Sequence, residues 1–212
     1  MNEIESIRKE FSETEGLVIF DIGGYDFEDS IKFKQVFPQS EVYSFEPDPN
    51  NLERHSQKAK EWRINVIPNA LSDSEGWVTF YPSDHFNTKD WKASGSIIKP
   101  TLKAGTERES INFPGLFFDM NGYSVETLRL DEFCQSKGIN RIDHIHIDVQ
   151  GAEMKVLSAL GDLRPRLIFA ETCEYTTYET GITRDEFDSF MKGLGYEILD
   201  RTPTDTLYRY EG

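Results

Sequence analysis

Basic residues are in short supply. Lys and Arg number 23 against 38 Asp and Glu, which leaves a formal net charge of -15. A nucleic-acid binder needs a basic stripe to displace counterions from phosphates, and an anionic membrane surface asks for the same. Both are excluded as expected partners. A neutral or small substrate is compatible with such a field. Cysteine is scarcer still. Cys134 and Cys173 stand far apart, in no metal-ligand spacing, and read as two reduced thiols. No apolar run is long enough to span a bilayer, and none near the amino terminus has the form of a signal peptide. The expectation is a cytoplasmic protein without membrane insertion. Internal repeats, low-complexity tracts and Pro/Gly/Ser linkers are also missing. The 212 residues are therefore expected to form one domain, 1–212, long enough to bury its own core. Nothing in the sequence sets an oligomeric state.

What the chain does have is alternation. Residues 2–12 carry Ile4, Ile7 and Phe11 at helical spacing. "GLVIFDIGG" then reads as a buried strand running into a glycine turn, and "DFEDSIKFKQVFP" as a helix stopped by Pro38. "EVYSFEP" is a second strand, and "DPNNLERHSQKAK" a helix opened by an Asp48 cap and a first-turn Pro49. "INVIPNAL" is expected as a third strand and "WVTFYP" as another. From about 83 to 122 the pattern fails, and a stretch that long without regular structure is usually functional or mobile. Strand and helix then alternate again from "YSVETLRLDEFCQSKGI" through "IDHIHID", "AEMKVLSAL", "RLIFAE" and "TRDEFDSFMKGLG".

This order predicts an α/β fold, a mostly parallel sheet with helices on both faces. Its last strands, "YEILDR" and "TLYRY", are joined by a turn too short for a parallel crossover, so they make an antiparallel hairpin. A Rossmann-like sheet ending in an antiparallel strand is the class I methyltransferase arrangement.

Ligands in such sheets sit beyond the carboxyl ends of the strands. The first strand ends at Asp21 and enters Gly23 and Gly24, and the second ends at Glu46. A carboxylate there can accept from both hydroxyls of a ribose. Each feature has a plainer alternative: the glycines as a tight turn, Glu46 as a helix cap. Taken together, strand, glycine turn, helix, strand and terminal Glu point to a nucleoside-bearing cofactor. Asn69, Ala70 and Leu71, at the end of the third strand, fall where an adenine needs a polar and an apolar contact.

The segments "VIFDIGG", "VYSFEPDP", "NALSDSEG", "TLRLDEF", "IDVQGAEMKVL" and "LIFAE", in this order, resemble the FkbM-family methyltransferases over roughly Val18 to Glu171. "FEPDP" and "IDVQGAE" are the most specific of them. The resemblance implies S-adenosylmethionine as cofactor, with Asp21 and Gly23 by its methionine end and Glu46 on its ribose. It further implies O-methylation, commonly of sugars and polyketide-type products. The chain departs from the family's Asp-x-Gly-Ala-Asn-x-Gly turn at Gly24, Tyr25 and Phe27, and has His146 where the family usually has lysine. Those bulky residues motivate one competing reading, a nucleoside-binding homologue without turnover. A nicotinamide-linked oxidoreductase is another, opposed by the missing glycine fingerprint.

"IDHIHID" would be the fourth strand, with His144, His146 and Asp148 on one face by the two-residue period. Methyl transfer to a hydroxyl requires that the acceptor be oriented and lose its proton. Asp148 is expected as base, with His146 holding it, relaying its proton, or acting as base itself. Packing is the alternative for His146 and the preferred reading for His144. Asp148 and Glu171, from neighbouring strand ends, would be the ligands of a divalent ion such as Mg²⁺ if one is used. The 83–122 stretch is expected to form the acceptor side, through Trp91, the hydroxyls of Ser94 and Ser96, and its phenylalanines.

Overall fold

The computed structural model describes residues 2–11, 16–85, 93–172, 178–179 and 182–212. Twelve strands and six helices follow one another in them. Helix α1 (Glu3–Glu10) is capped by Asn2, whose side chain accepts from the Glu5 N–H. The others are α2 (Glu28–Val36), α3 (Pro49–Glu61), α4 (Leu130–Lys137), α5 (Glu153–Ser158) and α6 (Arg184–Gly193). Helix α2 stops two residues short of Pro38, as the bias of the preceding residue against helical geometry requires.

The main sheet holds β3 (Asn65–Ile67), β2 (Glu41–Phe45), β1 (Val18–Ile22), β9 (His144–Ile147), β10 (Leu167–Glu171), β12 (Asp205–Tyr210) and β11 (Tyr196–Arg201), in that spatial order. Strands β3, β2, β1, β9 and β10 pair in parallel, and β12 runs antiparallel to both β10 and β11. The register sets Asp21 of β1 beside Ser44 of β2 on one side and His146 of β9 on the other.

Alternation along the strands divides the core. Phe20, Ile22, Ile145 and Ile147 pack under Leu130, Phe133, Val156 and Leu157 of α4 and α5. Ile19 and Val42 pack on the opposite face with Ile7 of α1 and Ile31 and Phe33 of α2. Both faces of β1 are thus removed from water, which is what its near-continuous apolar run requires.

Two expectations change. The run "INVIPNAL" is two strands in different sheets, because Pro68 has no N–H to continue the ladder. β3 stays in the main sheet, whereas β4 (Ala70–Leu71) joins β8 (Tyr123–Leu128) and β5 (Gly76–Phe80) in a three-stranded sheet. The irregular stretch also has structure of its own. Within it, β6 (Ser83–His85) pairs with β7 (Leu116–Phe118), and isolated bridges join Tyr81 to Ser96 and Leu102 to Ser110. Leu116, Phe118 and Tyr178 form a small core beneath it.

Candidate active site

The carboxyl ends of β1, β2 and β9 converge on an open cleft. Gly23, Glu46, Asn69, Ala70, Leu71, Ser96 and Asp148 all line it. Tyr25, Phe45, Asn51, Phe80 and Ile97 complete much of the rest.

The glycine turn works differently from its sequence reading. The N–H groups of Gly23 and Gly24 both donate to the Phe45 carbonyl at 3.0 Å, so they serve the join between β1 and β2. Gly23 has φ +100°, and a Cβ there would lie 1.9 Å from the Asp148 carbonyl oxygen. Glycine is required because the ends of β1 and β9 touch. Gly24 lies outside the cleft lining, where a Cβ would meet Ser44 Oγ at 2.2 Å. Asp21 is buried behind the turn. Its Oδ2 accepts from the Ser30 hydroxyl and, at 3.1 Å, from Ser44 Oγ. Burial pushes its carboxyl above the usual range, opposed by the positive charge of His146.

The bulky departures in this turn leave the cleft open. Phe27 adopts the left-handed conformation that suits glycine, φ 62°, and sends its ring into the α1–α2 side of the core. Tyr25, φ 43°, does line the cleft, with its ring edge-on to His55 at 5.8 Å.

Glu46 is buried at the end of β2. Its Oε2 accepts from the Tyr25 N–H at 2.8 Å, and its Oε1 from the Asp48 N–H at 2.7 Å and Asn51 Nδ2 at 3.4 Å. Burial raises its carboxyl to about 7 against the pull of these donors. Asn69 donates to Glu126 at 2.8 Å, while Ala70 and Leu71 give the cleft an apolar wall.

Across the cleft, Asp148 follows the last residue of β9, and its backbone N–H donates to Ile22 at 2.9 Å. Its side chain is exposed at the cleft mouth. Protein crowded around it still raises its carboxyl, while Gln150 and His146 act in the opposite direction. Gln150 Nε2 donates to Asp148 Oδ1 at 2.5 Å and to Glu171 Oε2 at 2.9 Å, and its Oε1 accepts from the Tyr178 hydroxyl at 3.1 Å. Asp148, Glu153 and Glu171 each bring an oxygen within 4.8 Å of the others. An all-carboxylate set of this kind suits a hard divalent ion. Glu153 also accepts from the Val149 N–H at 3.0 Å, which fixes the turn.

The 83–122 stretch reaches the cleft through Ala93, Gly95, Ser96 and Ile97. Ser96 Oγ donates to the Gln150 carbonyl at 2.9 Å and accepts from the Ile98 N–H at 2.9 Å, which pins the stretch to the turn after β9. Ser94 accepts at its carbonyl from the Tyr178 hydroxyl, and its N–H donates to Ser83 Oγ at 3.0 Å. Trp91 and Phe86 lie outside the described residues. Phe118 is buried in the small core, Phe117 lies beneath Arg108, and Phe113 is exposed. None of these three lines the cleft, whose rings among the described residues are Tyr25, Phe45 and Phe80.

The histidines belong to another network. His144 Nε2 meets Glu3 Oε1 at 2.6 Å, and His146 Nδ1 meets the same carboxylate at 3.1 Å. The His146 ring stacks on Phe169 with centroids 5.0 Å apart. Burial disfavours its charge, but Glu3, with Asp21 and Asp29, outweighs that and raises it to about 10. No hydrogen bond among the described residues joins His146 to Asp148. Strand β9 ends at Ile147, so the alternation that aligned His146 with Asp148 in the sequence stops one residue too early.

Four residues of these networks escape a reading by sequence. Gln150 and Asn51 stand within "IDVQGAE" and "DPNN", beside residues chosen for their charge. Tyr178 lies outside any motif read from the sequence, and Glu3 is 141 positions from His144, so neither gave a local signal.

Comparison with known proteins agrees with this geometry. Residues 21–198 match the model of the methyltransferase FkbM domain. The chain is 35% identical over 166 residues to 2-O-methyltransferase NoeI of Sinorhizobium fredii, covering 76% of this chain and 65% of that protein. It is 24% identical over 124 residues to hexuronic acid methyltransferase AglP of Haloferax volcanii, covering 58% and 42%. The chain thus spans about two thirds or less of the length of these two relatives. Among solved structures, fibrillarin pre-rRNA processing protein of Methanococcus jannaschii superposes with TM-score 0.52 at 11% identity, over 95% of this chain and 70% of that one. A precorrin-6y C5,15-methyltransferase of Geobacter metallireducens gives 0.51 at 11% identity, over 99% and 87%. Motifs, strand order and family match agree: the chain belongs to the FkbM family of S-adenosylmethionine-dependent methyltransferases and has their class I fold.

Proposed function

We propose that this protein is an O-methyltransferase acting on a sugar hydroxyl of a glycan or glycosylated metabolite. One observation carries the reading: a single cleft places Glu46, a buried acceptor at the end of β2, together with Asp148, a carboxylate beyond β9. The relatives named for 2-O-methylation and for hexuronic acid methylation support a sugar acceptor. The cleft is open and apolar along Ala70 and Leu71, and Glu46 supplies an acceptor for a ribose hydroxyl. When bound, S-adenosylmethionine supplies an electrophilic methyl group on a sulfonium centre.

The residues of the chain do the rest. Asp148 takes the proton of the acceptor hydroxyl, and its raised carboxyl brings its proton affinity closer to neutral pH, where a general base works best. Gln150 holds Asp148 and Glu171 in register. His146, charged and held by Glu3, acts on Asp148 only at a distance, so it supports and does not take the proton. Ser96 fixes the 83–122 stretch over the acceptor side. If a divalent ion takes part, Asp148, Glu153 and Glu171 are the residues that would hold it. We read the chain as a single methyltransferase domain, 1–212, with residues 83–122 as its acceptor-side insertion. No helix among the described residues is long and apolar enough to cross a membrane, and Cys134 is a buried free thiol. A cytoplasmic location fits the free thiol.

Incubation with methyl-labelled S-adenosylmethionine and a panel of sugars and glycan extracts tests this reading. Label in an ether-linked sugar is expected, with calorimetry detecting S-adenosylhomocysteine and not NAD. NAD binding with no label transfer would reject it.

A further inference from the structure

We infer that Asn51 is a second ribose-binding residue, its Oδ1 accepting from the hydroxyl that Glu46 has no position left to take. The inference rests on the cofactor reading of the cleft. A carboxylate oxygen has two lone-pair positions. On Glu46, Oε1 already accepts from the Asp48 N–H and from Asn51 Nδ2, and Oε2 accepts from the Tyr25 N–H. One position remains, on Oε2. A ribose presents two adjacent hydroxyls, so Glu46 can complete only half of the recognition.

Asn51 has the missing half. It lines the same cleft and is only 2% exposed. Its Oδ1 is buried with no hydrogen-bond partner, although buried acceptors are nearly always paired. Its orientation is set by chemistry: Nδ2 faces the Glu46 carboxylate, because the reverse would oppose two acceptors. The backbone beneath is fixed as well. Asn51 is the third residue of α3, which Pro49 opens and Asp48 caps by accepting from the Asn50 N–H at 2.8 Å. An acceptor in the wall of the same cleft as Glu46, and left without a partner, matches the second hydroxyl of a vicinal diol.

Calorimetry with S-adenosylhomocysteine and its 2′-deoxy and 3′-deoxy analogues tests the assignment. The parent should bind both analogues more weakly than S-adenosylhomocysteine. Asn51→Ala, with a residue favoured in helices, should bind S-adenosylhomocysteine roughly three- to tenfold more weakly. It should also lose discrimination against one analogue while keeping it against the other, the one read by Glu46. Asn51→Asp retains an acceptor in place and should keep both discriminations, whatever its overall affinity. If Asn51→Ala binds all three ligands as the parent does, Asn51 is not a ribose ligand and the cleft assignment survives. If the parent binds no S-adenosylhomocysteine, the cofactor reading fails and the Asn51 assignment goes with it.

Discussion

Replacing Glu3 by Gln should destabilise the whole domain, although Glu3 lies at the amino terminus and outside the cleft. Its carboxylate meets both buried histidines of β9, and the side chains of Glu3, His144 and His146 are 14%, 0% and 12% exposed. Burial alone would raise Glu3, yet the two histidines bring it from 4.5 down to about 2. Seen from the other partner, burial would lower His146, yet Glu3, with Asp21 and Asp29, brings it from 6.5 up to about 10. Each tenfold change in proton affinity corresponds to about 1.4 kcal/mol. The Glu3 side then gives roughly 3 kcal/mol, shared between the two histidines, and the His146 side roughly 5 kcal/mol, a figure that also includes Asp21 and Asp29. Removing one member of a buried pair typically costs 3–5 kcal/mol, in the same range. That is a large part of the roughly 5–15 kcal/mol by which domains are stable, and corresponds to a fall in Tm of roughly 6–20 °C.

The pH dependence has a definite sign. His146 is raised on folding, so its contribution is complete below about pH 6.5 and is lost as pH rises through about 10. Glu3 is depressed, so its contribution is complete above about pH 4.5 and is lost as pH falls through about 2. Denaturant unfolding of parent and Glu3→Gln across pH 5–10 should show the two curves furthest apart near pH 5–6.5 and converging toward pH 10. NMR titration of His146 in the parent should find it protonated well above pH 8. A difference under about 1 kcal/mol at pH 6, or a His146 that titrates near its ordinary value, would refute the reasoning.

Three further outcomes are expected around the cleft. Glu46→Ala should weaken S-adenosylhomocysteine binding in calorimetry. In the parent, affinity should rise with pH through about 7 and then level off, because the ionised Glu46 carboxylate is the better acceptor; a flat profile would show that Glu46 does not meet the ribose. Asp148→Asn should lower transfer by roughly a hundred- to ten-thousandfold while leaving cofactor binding intact, and parent-like turnover would remove Asp148 as base. Ser96→Ala breaks the tie between the insertion and the turn after β9, so KM for the sugar acceptor should rise several-fold with cofactor affinity unchanged; equal losses of both would place Ser96 on the cofactor side.

Chain order, apolar period and turn chemistry were enough to determine the α/β sheet, its antiparallel end, and the strand ends that line the cleft. Those signals are local: a strand and the residue that ends it are contiguous, so Glu46 at the close of "EVYSFE" and Gly23 after "VIFDI" could be placed without coordinates. What each residue faces was decided by tertiary structure. Gly23 must be glycine because of the Asp148 carbonyl, 125 positions on. The histidine row of β9 faces α1 because the sheet has two buried sides, and only the docking of a helix from the far end of the chain says which side receives a charge. Gln150 became the link between Asp148 and Glu171 through a left-handed turn, φ 56°, that no spacing rule announces. Periodicity assigns a side chain to a face. The partner on that face comes from an element that folding brings across, which is why the sequence located the cleft and the tertiary structure determined its chemistry.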